Sequence, residues 1–254
     1  MTRQGRAEFS VRLAKTAEEL HAAQRLRYDV FVRELGGGGD LVDHHQKLER
    51  DRFDPFLDHM ILTRKDDDTV IGVYRLLRGT RAQQAGGFYS ENEYDLDKLK
   101  TSGRRLLELG RSCLHRDYRG GIAMHCLWAG LADYVAEHEI EILFGVASFH
   151  GTDIEKLAAP LSLLHQRHLA PPELRVRVHE QSFQRMDLID TDTLDRRAAM
   201  VLVPSLIKAY LRLGGCVGEG AFIDHEFNTT DVCLIMDTAK LNSRQAKIYG
   251  GSNK

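Results

Sequence analysis

Arg105-Leu-Leu-Glu-Leu-Gly-Arg-Ser-Cys-Leu-His-Arg-Asp-Tyr-Arg-Gly-Gly-Ile-Ala-Met-His-Cys-Leu-Trp-Ala-Gly-Leu131 is the stretch on which the fold turns. Arg105–Cys113 is a short apolar run ending in charge and predicts a strand. Ile122–Glu137 carries apolar residues at helical spacing and predicts a helix. Between them lies Arg119-Gly120-Gly121, where glycines let the N–H groups at a helix start point outward at an anion. Glu108, flanked by Arg105 and Arg111, has two readings. It is an ion-pair partner of Arg75 or Arg111 on the less hydrophobic face of a strand, or it is a reactive carboxylate beside an anion cradle. Spacing leaves both open.

Working outward, Ser10–Lys15 alternates as a strand, and Thr16 with Glu19 forms a capping box before a helical pattern that runs to Leu35. Leu20, Ala23, Leu26, Val30 and Phe31 form its buried stripe. The four glycines Gly36–Gly39 end that helix, and a polar, charge-dense stretch to Pro55 reads as a flexible loop or lid. Asp51 and Asp54 sit in it and, taken alone, read as solvated charges. His59–Arg64 and Thr69–Leu77 are strands joined by a turn at Lys65-Asp66-Asp67-Asp68. Asn92–Leu99 reads as a short helix and Ile142–Phe149 as a strand. Asp153 caps a helix to His168, Pro204 opens one to Leu213, and Val232–Met236 is a late strand. The order describes an α/β fold: a central mixed sheet with helices packed on it. Residues 1–9 are expected to be disordered, and 10–254 to form a single domain with a C-terminal extension.

Composition narrows the function. The 254 residues are 43% hydrophobic, and 35 basic against 37 acidic side chains give a net charge of −2. That balance argues against a nucleic-acid partner, for which a basic excess is expected. No signal-like apolar core and no uncharged apolar run of about 18 residues occurs, so a cytoplasmic protein is expected. Cys113, Cys126, Cys216 and Cys233 lie far apart without a Cys-x-x-Cys pair and read as buried free thiols. The twelve histidines include His44-His45 and His165-x-x-His168, but no adjoining ligand completes a set, so no metal is expected. Ser148 follows an apolar strand without the Gly-x-Ser-x-Gly spacing of a nucleophile elbow. It is expected to bind substrate or backbone. Trp128 reads as core.

Several blocks together resemble known families. Leu26-Arg27-Tyr28-Asp29-Val30-Phe31, Asp51-x-x-Asp54, Val73-Tyr74-Arg75-Leu76 and Glu108-Leu109-Gly110-Arg111 are similar to the acyl-homoserine-lactone-synthase branch of the GNAT acyltransferase superfamily. The run Leu143–Asp153, then Pro171-Pro172-Glu173-Leu174-Arg175, and Phe227-Asn228-Thr229-Thr230-Asp231-Val232 resemble the bacterial L-ornithine Nα-acyltransferases. The resemblance spans about Ser10 to the C-terminus. It implies a GNAT fold and transfer of a 3-hydroxy fatty acyl group from acyl carrier protein to the α-amino group of L-ornithine. Two departures bear on this. Lactone synthases carry a tryptophan where this chain has Gly36–Gly39, which argues against a lactone product. The GNAT pyrophosphate loop, Arg/Gln-x-x-Gly-x-Gly/Ala, is one residue short at Arg119-Gly120-Gly121-Ile122-Ala123. A shortened cradle suits a carrier-protein donor with its single phosphate better than coenzyme A.

Under that resemblance Glu108 matches the family glutamate proposed as the base. An α-amino group with a pKa of about 8 is mostly protonated at neutral pH, so a base is needed. Arg111 beside Glu108 would favour its carboxylate form and joins the substrate-binding set. Ornithine needs an arginine for its carboxylate, for which Arg75 is the candidate, and a carboxylate for its second amine, for which Asp51 or Asp54 is the candidate. Arg116 and Arg119, with Gly120 and Gly121, would meet the donor phosphopantetheine, and no bound cofactor is expected. The fatty chain would lie along Ile142–Phe149. The Pro204–Leu213 helix is expected in the core, with a peripheral contact at the inner membrane as its other role. Acylation of another amino acid (glutamine, tyrosine or a homoserine-lactone type) and a non-catalytic carrier-protein-binding module are the alternatives.

Overall fold

The computed structural model of the chain describes residues 8–241. In chain order the elements are β1 (Phe9–Leu13), α1 (Ala17–Arg27), β2 (Asp58–Arg64), β3 (Val70–Arg78), α2 (Gly79–Ala82), β4 (Tyr94–Asp95), α3 (Asp97–Lys100) and β5 (Leu106–Leu114). They continue with α4 (Ile122–Glu137), β6 (Ile142–His150), α5 (Ile154–His168), β7 (Arg177–Val178), α6 (Arg196–Leu202), α7 (Ser205–Arg212), β8 (Cys216–Val217), β9 (Phe222–Asp224) and β10 (Thr229–Asp237). The chain divides into two compact units, one of residues 8–86 and 109–139, the other of 87–108 and 140–241.

In the first unit the strand order is β1-β2-β3-β5, with β1, β2 and β3 antiparallel in sequence. The capping box is formed: Thr16 Oγ1 accepts from Glu19 N–H at 3.2 Å, and Glu19 accepts from Thr16 N–H at 3.3 Å. The helix does not run to Leu35 as one α-helix. After Arg27 it widens into a π-helical segment, Tyr28–Glu34, in which Leu35 N–H reaches back to Val30 C=O. Ala23, Leu26 and Val30 pack with Ile61, Val73 and Cys113. Helix α4 takes the opposite face of β2. Its Gly130 lies against Val11 and Met60, and Met60 and Ile61 are successive residues whose side chains point opposite ways. The two helices thus sandwich the strands.

The second unit has the order β5-β6-β10-β8, with β9 also pairing β10. Here Leu106–Glu108 of β5 run parallel to Ile142–Phe144 of β6, whereas β6 and β10 are antiparallel over nine residue pairs from Thr229↔His150 to Asp237↔Ile142. The expected Asn92–Leu99 helix is a 3-10 turn Tyr89–Asn92, then β4, then the single turn α3. The reason is Tyr94, a buried aromatic that pairs with Val178 and cannot stay on a solvated helix. Its hydroxyl accepts from Cys233 N–H at 3.1 Å and lies 3.0 and 3.1 Å from the carbonyls of Gly220 and Asp231. It fills the step in the ladder where β9 leaves β10 at Asp231 and β8 joins at Leu234. Pro204 is the N-cap of α7 rather than its first residue. Strands β7, β8 and β9 and helix α6 carry no periodic signal long enough to read.

The disorder expected for residues 1–9 lies, up to residue 7, outside the described residues, while Phe9 belongs to β1. Residues 242–254 are likewise outside them. No described helix is long and apolar enough to cross a membrane.

A Cβ added at Gly130 would overlap the Val11 side chain and come 3.2 Å from Val11 Cβ. Alanine raises helix propensity there, yet overpacking against a stiff β-branched neighbour outweighs it. Gly130→Ala should therefore lower the unfolding free energy by about 1–3 kcal/mol in urea titrations, and Val11→Ala in the same chain should recover part of that loss.

Candidate active site

The first unit buries a closed set of charges. Arg27 and Arg75 are 0% and 1% exposed, and Glu49 is 1% exposed. Arg27 ion-pairs Glu49 and donates from Nη1 to Asp54 Oδ1 at 2.9 Å. Arg75 Nη1 donates to Asp51 Oδ2 at 2.7 Å and to Asp54 Oδ1 at 2.8 Å. Arg111 Nε donates to Glu49 Oε1 at 2.9 Å. Gln24 Nε2 supplies Asp54 Oδ2 at 2.8 Å, and His59 Nε2 lies 3.0 Å from Asp54 C=O. Three guanidinium groups face three carboxylates, so the cluster is neutral. Burial alone would raise the pKa of Glu49, but Arg111, Arg27 and Arg75 together bring it down to about 2. Burial opposes ionisation of Asp54 too, and Arg27 and Arg75 more than overcome it.

This geometry changes the reading of the charge-dense loop. Far from being a solvated lid, it buries Leu48, Glu49, Phe53 and Asp54, and Asp43 bridges Leu48 across a tight turn. Arg75 pairs with Asp51 and Asp54, so the substrate candidates Arg75, Asp51 and Asp54 are brought together with each other. Arg27, Gln24 and Glu49 were missed as site residues. Gln24 and Arg27 did carry a signal, since they fall three apart beside the apolar stripe of α1, where a polar pair has to meet polar partners. Glu49 carried none.

Arg111 reaches this cluster through an unusual backbone. It sits at φ +49°, a left-handed conformation inside an extended strand. Such a residue costs about 1–2 kcal/mol without glycine, which is sustained here by the buried pairing of its side chain.

Glu108 belongs to the second unit and is 3% exposed. Its Oε2 accepts from Tyr89 N–H at 2.8 Å and its Oε1 from Ser90 N–H at 2.6 Å. Those amides open the 3-10 turn Tyr89–Asn92, so a carboxylate anchors a turn start whose N–H groups have no helical partner. Ser148 is exposed on β6, on the face it shares with half-buried Val146 and exposed His150.

At the start of α4, Gly120 has φ +76° and open space around it, and the Gly121 N-cap supplies no side-chain hydrogen bond. The first turn of α4 holds no acidic residue. Arg119 is committed, donating from Nε to Leu114 C=O at 3.0 Å and from Nη2 to Glu34 at 2.7 Å. Arg116 is more exposed, with Asp117 at 3.8 Å. The four cysteines are free, Cys216 being only half-buried. Burial pushes the Cys113 thiol up to about 12 and the Cys216 thiol up to about 11.

A mixed sheet with its strand, glycine turn and helix defines an N-acyltransferase of the GNAT type, and residues 26–129 match the family model described as an acetyltransferase (GNAT) domain. Solved structures agree on the fold: a CoA-dependent acyl-homoserine lactone synthase, MesI (TM-score 0.53, 13% identity, 96% of this chain and 97% of that one), and FeeM, an N-acyl amino acid synthase from uncultured soil microbes (0.51, 10%, 91% of each). Among curated proteins, L-ornithine Nα-acyltransferases from Rhodobacter capsulatus and Brucella abortus are 58% and 39% identical to it, each over 95% of this chain and covering 94% and 89% of theirs. The chain belongs to that family of acyltransferases.

Glu49 stays ionised in the folded chain down to about 2, while an unfolded glutamate takes its proton near 4.5. The unfolded state therefore binds more protons in that window, and stability should fall as pH drops from about 4.5 toward 2, with Asp54 adding in the same direction. Glu49→Gln should cost about 3–5 kcal/mol at pH 7, by removing the buried carboxylate that Arg27 and Arg111 share, and should flatten the acid limb measured by thermal unfolding.

Proposed function

We propose that the chain transfers a 3-hydroxy fatty acyl group from acyl carrier protein to the α-amino group of L-ornithine, giving a single-chain acyl-ornithine lipid. The observation that carries this reading is the 58% identity, over nearly the whole chain, to a protein named L-ornithine Nα-acyltransferase. In the reaction the neutral α-amine attacks the thioester carbonyl, the C–N bond forms, the C–S bond breaks, and the pantetheine sulfur leaves as thiolate. Glu108 takes the amine proton, directly or through water. Its two backbone anchors, the N–H groups of Tyr89 and Ser90, fix the carboxylate in place, as a general base requires. The raised thiols of Cys113 and Cys216 argue for direct aminolysis over an acyl-cysteine relay, because thiolate is scarce at neutral pH.

Within the charge cluster the half-buried members, Arg111 and Asp51, are assigned to the acceptor's carboxylate and second amine. Arg75 and Asp54, both consumed in buried pairs, hold them in place. Ser148 is assigned to the acyl chain's hydroxyl. For the donor, Gly120, Gly121 and the uncapped start of α4 offer N–H groups to one phosphate, with Arg116 and Arg119 as its cations.

Purified protein incubated with 3-hydroxyacyl carrier protein and a panel of amino acids should yield acyl-ornithine by mass spectrometry. A different acyl-amino acid would move the acceptor, and none with any amino acid would sink the enzyme reading. Glu108→Gln should lower kcat by about 10²–10⁴-fold while leaving the donor KM near normal, the range typical for a lost general base. Arg116→Ala with Arg119→Ala should raise the donor KM and make it less sensitive to salt, and an unchanged KM would remove the phosphate role.

A further inference from the structure

The corner between α6 and α7 carries the two most exposed large apolar side chains among the described residues, Val201 at 74% and Leu202 at 56%. They are adjacent. Along α6, Arg197 and Val201 fall four apart, as do Ala198 and Leu202, so these residues share the outer face while Ala199 is buried. From Arg196 to Leu213 there is no carboxylate, whereas Arg196, Arg197, Lys208 and Arg212 are basic. Lys208 Nζ donates to Val201 C=O at 2.9 Å, which sets a cation directly at the apolar pair. The nearest acids in sequence, Asp190, Asp192 and Asp195, precede α6. Asp195 is engaged as its N-cap, accepting from Arg197 and Ala198 N–H at 3.0 Å each. Seven helical residues, roughly 10 Å, separate that cap from the corner.

We propose that this corner inserts into the headgroup layer of a membrane containing anionic lipid, with Val201 and Leu202 as the wedge and Arg197 and Lys208 meeting the phosphates. Two aliphatic side chains are too small a patch for a stable protein interface, which buries roughly 1,200–2,000 Å² in total. They suit an interfacial anchor, where a short apolar tip enters the acyl boundary and flanking cations gain from negative surface potential. The anchor gives biological sense to the acyl-ornithine reading, since a single-chain lipid product leaves most readily into a bilayer. It rests on that reading for its purpose alone, because vesicle binding is measured without turnover.

The test is co-sedimentation of the full chain with vesicles of phosphatidylcholine alone and with phosphatidylglycerol added. Binding should appear with the anionic vesicles and weaken with salt. The double variant Val201→Asp, Leu202→Asp should lower the partition coefficient at least about tenfold, as loss of buried aliphatic area requires, with acyl transfer from the carrier-protein donor unchanged. Leu202→Trp should show blue-shifted emission that brominated lipid quenches. Absence of wild-type binding, equal binding by the double variant, or an unquenched Trp would overturn the proposal. Self-association abolished by the double variant would also overturn it, by giving the corner to a second copy of the chain.

Discussion

Charges taken out of water must find one another, and in the first unit that constraint holds α1, the loop of residues 40–57, β3 and β5 in one arrangement. Arg27 comes from the helix, Glu49, Asp51 and Asp54 from the loop, Arg75 from β3 and Arg111 from β5. Burying any one of these alone would be costly, so the six are only tolerable together. The loop has almost no apolar periodicity, yet it is ordered because its carboxylates are the counter-charges for two fully buried guanidinium groups. The same demand sustains the left-handed turn at Arg111.

Glu108 is held on a different principle. Three residues before Arg111 on the same strand, it is fixed by backbone N–H groups of Tyr89 and Ser90. Backbone amides fix both of its oxygens, whereas the carboxylates of the first unit are fixed by side chains.

The fold is shared with N-acyl amino acid and lactone synthases at only 10–13% identity, whereas the ornithine acyltransferases stand at 39–58%. A GNAT sheet tolerates wide change in its side chains because strand pairing is made by backbone. Acceptor and donor preference must then reside in side chains and loops rather than in the sheet.

Much of this was legible from residues alone wherever the determinant is local. The Thr16–Glu19 cap, the β2–β3 hairpin with its Asp-rich turn, the full extent of α4 and the start of α5 at Asp153 follow from periodicity, turn chemistry and capping, each confined to a few neighbouring residues. Glu108 stood out for the same reason, as a charge inside an apolar run. Long-range partners were not legible. That Glu49 is buried, that Arg75 pairs with Asp51 and Asp54, and that Tyr94 closes a gap in β10 depend on residues 20 to 140 positions away. Strands of two or three residues such as β4, β7 and β8 have no period of their own. They exist because a neighbour needs their backbone, and only the tertiary structure supplies that neighbour.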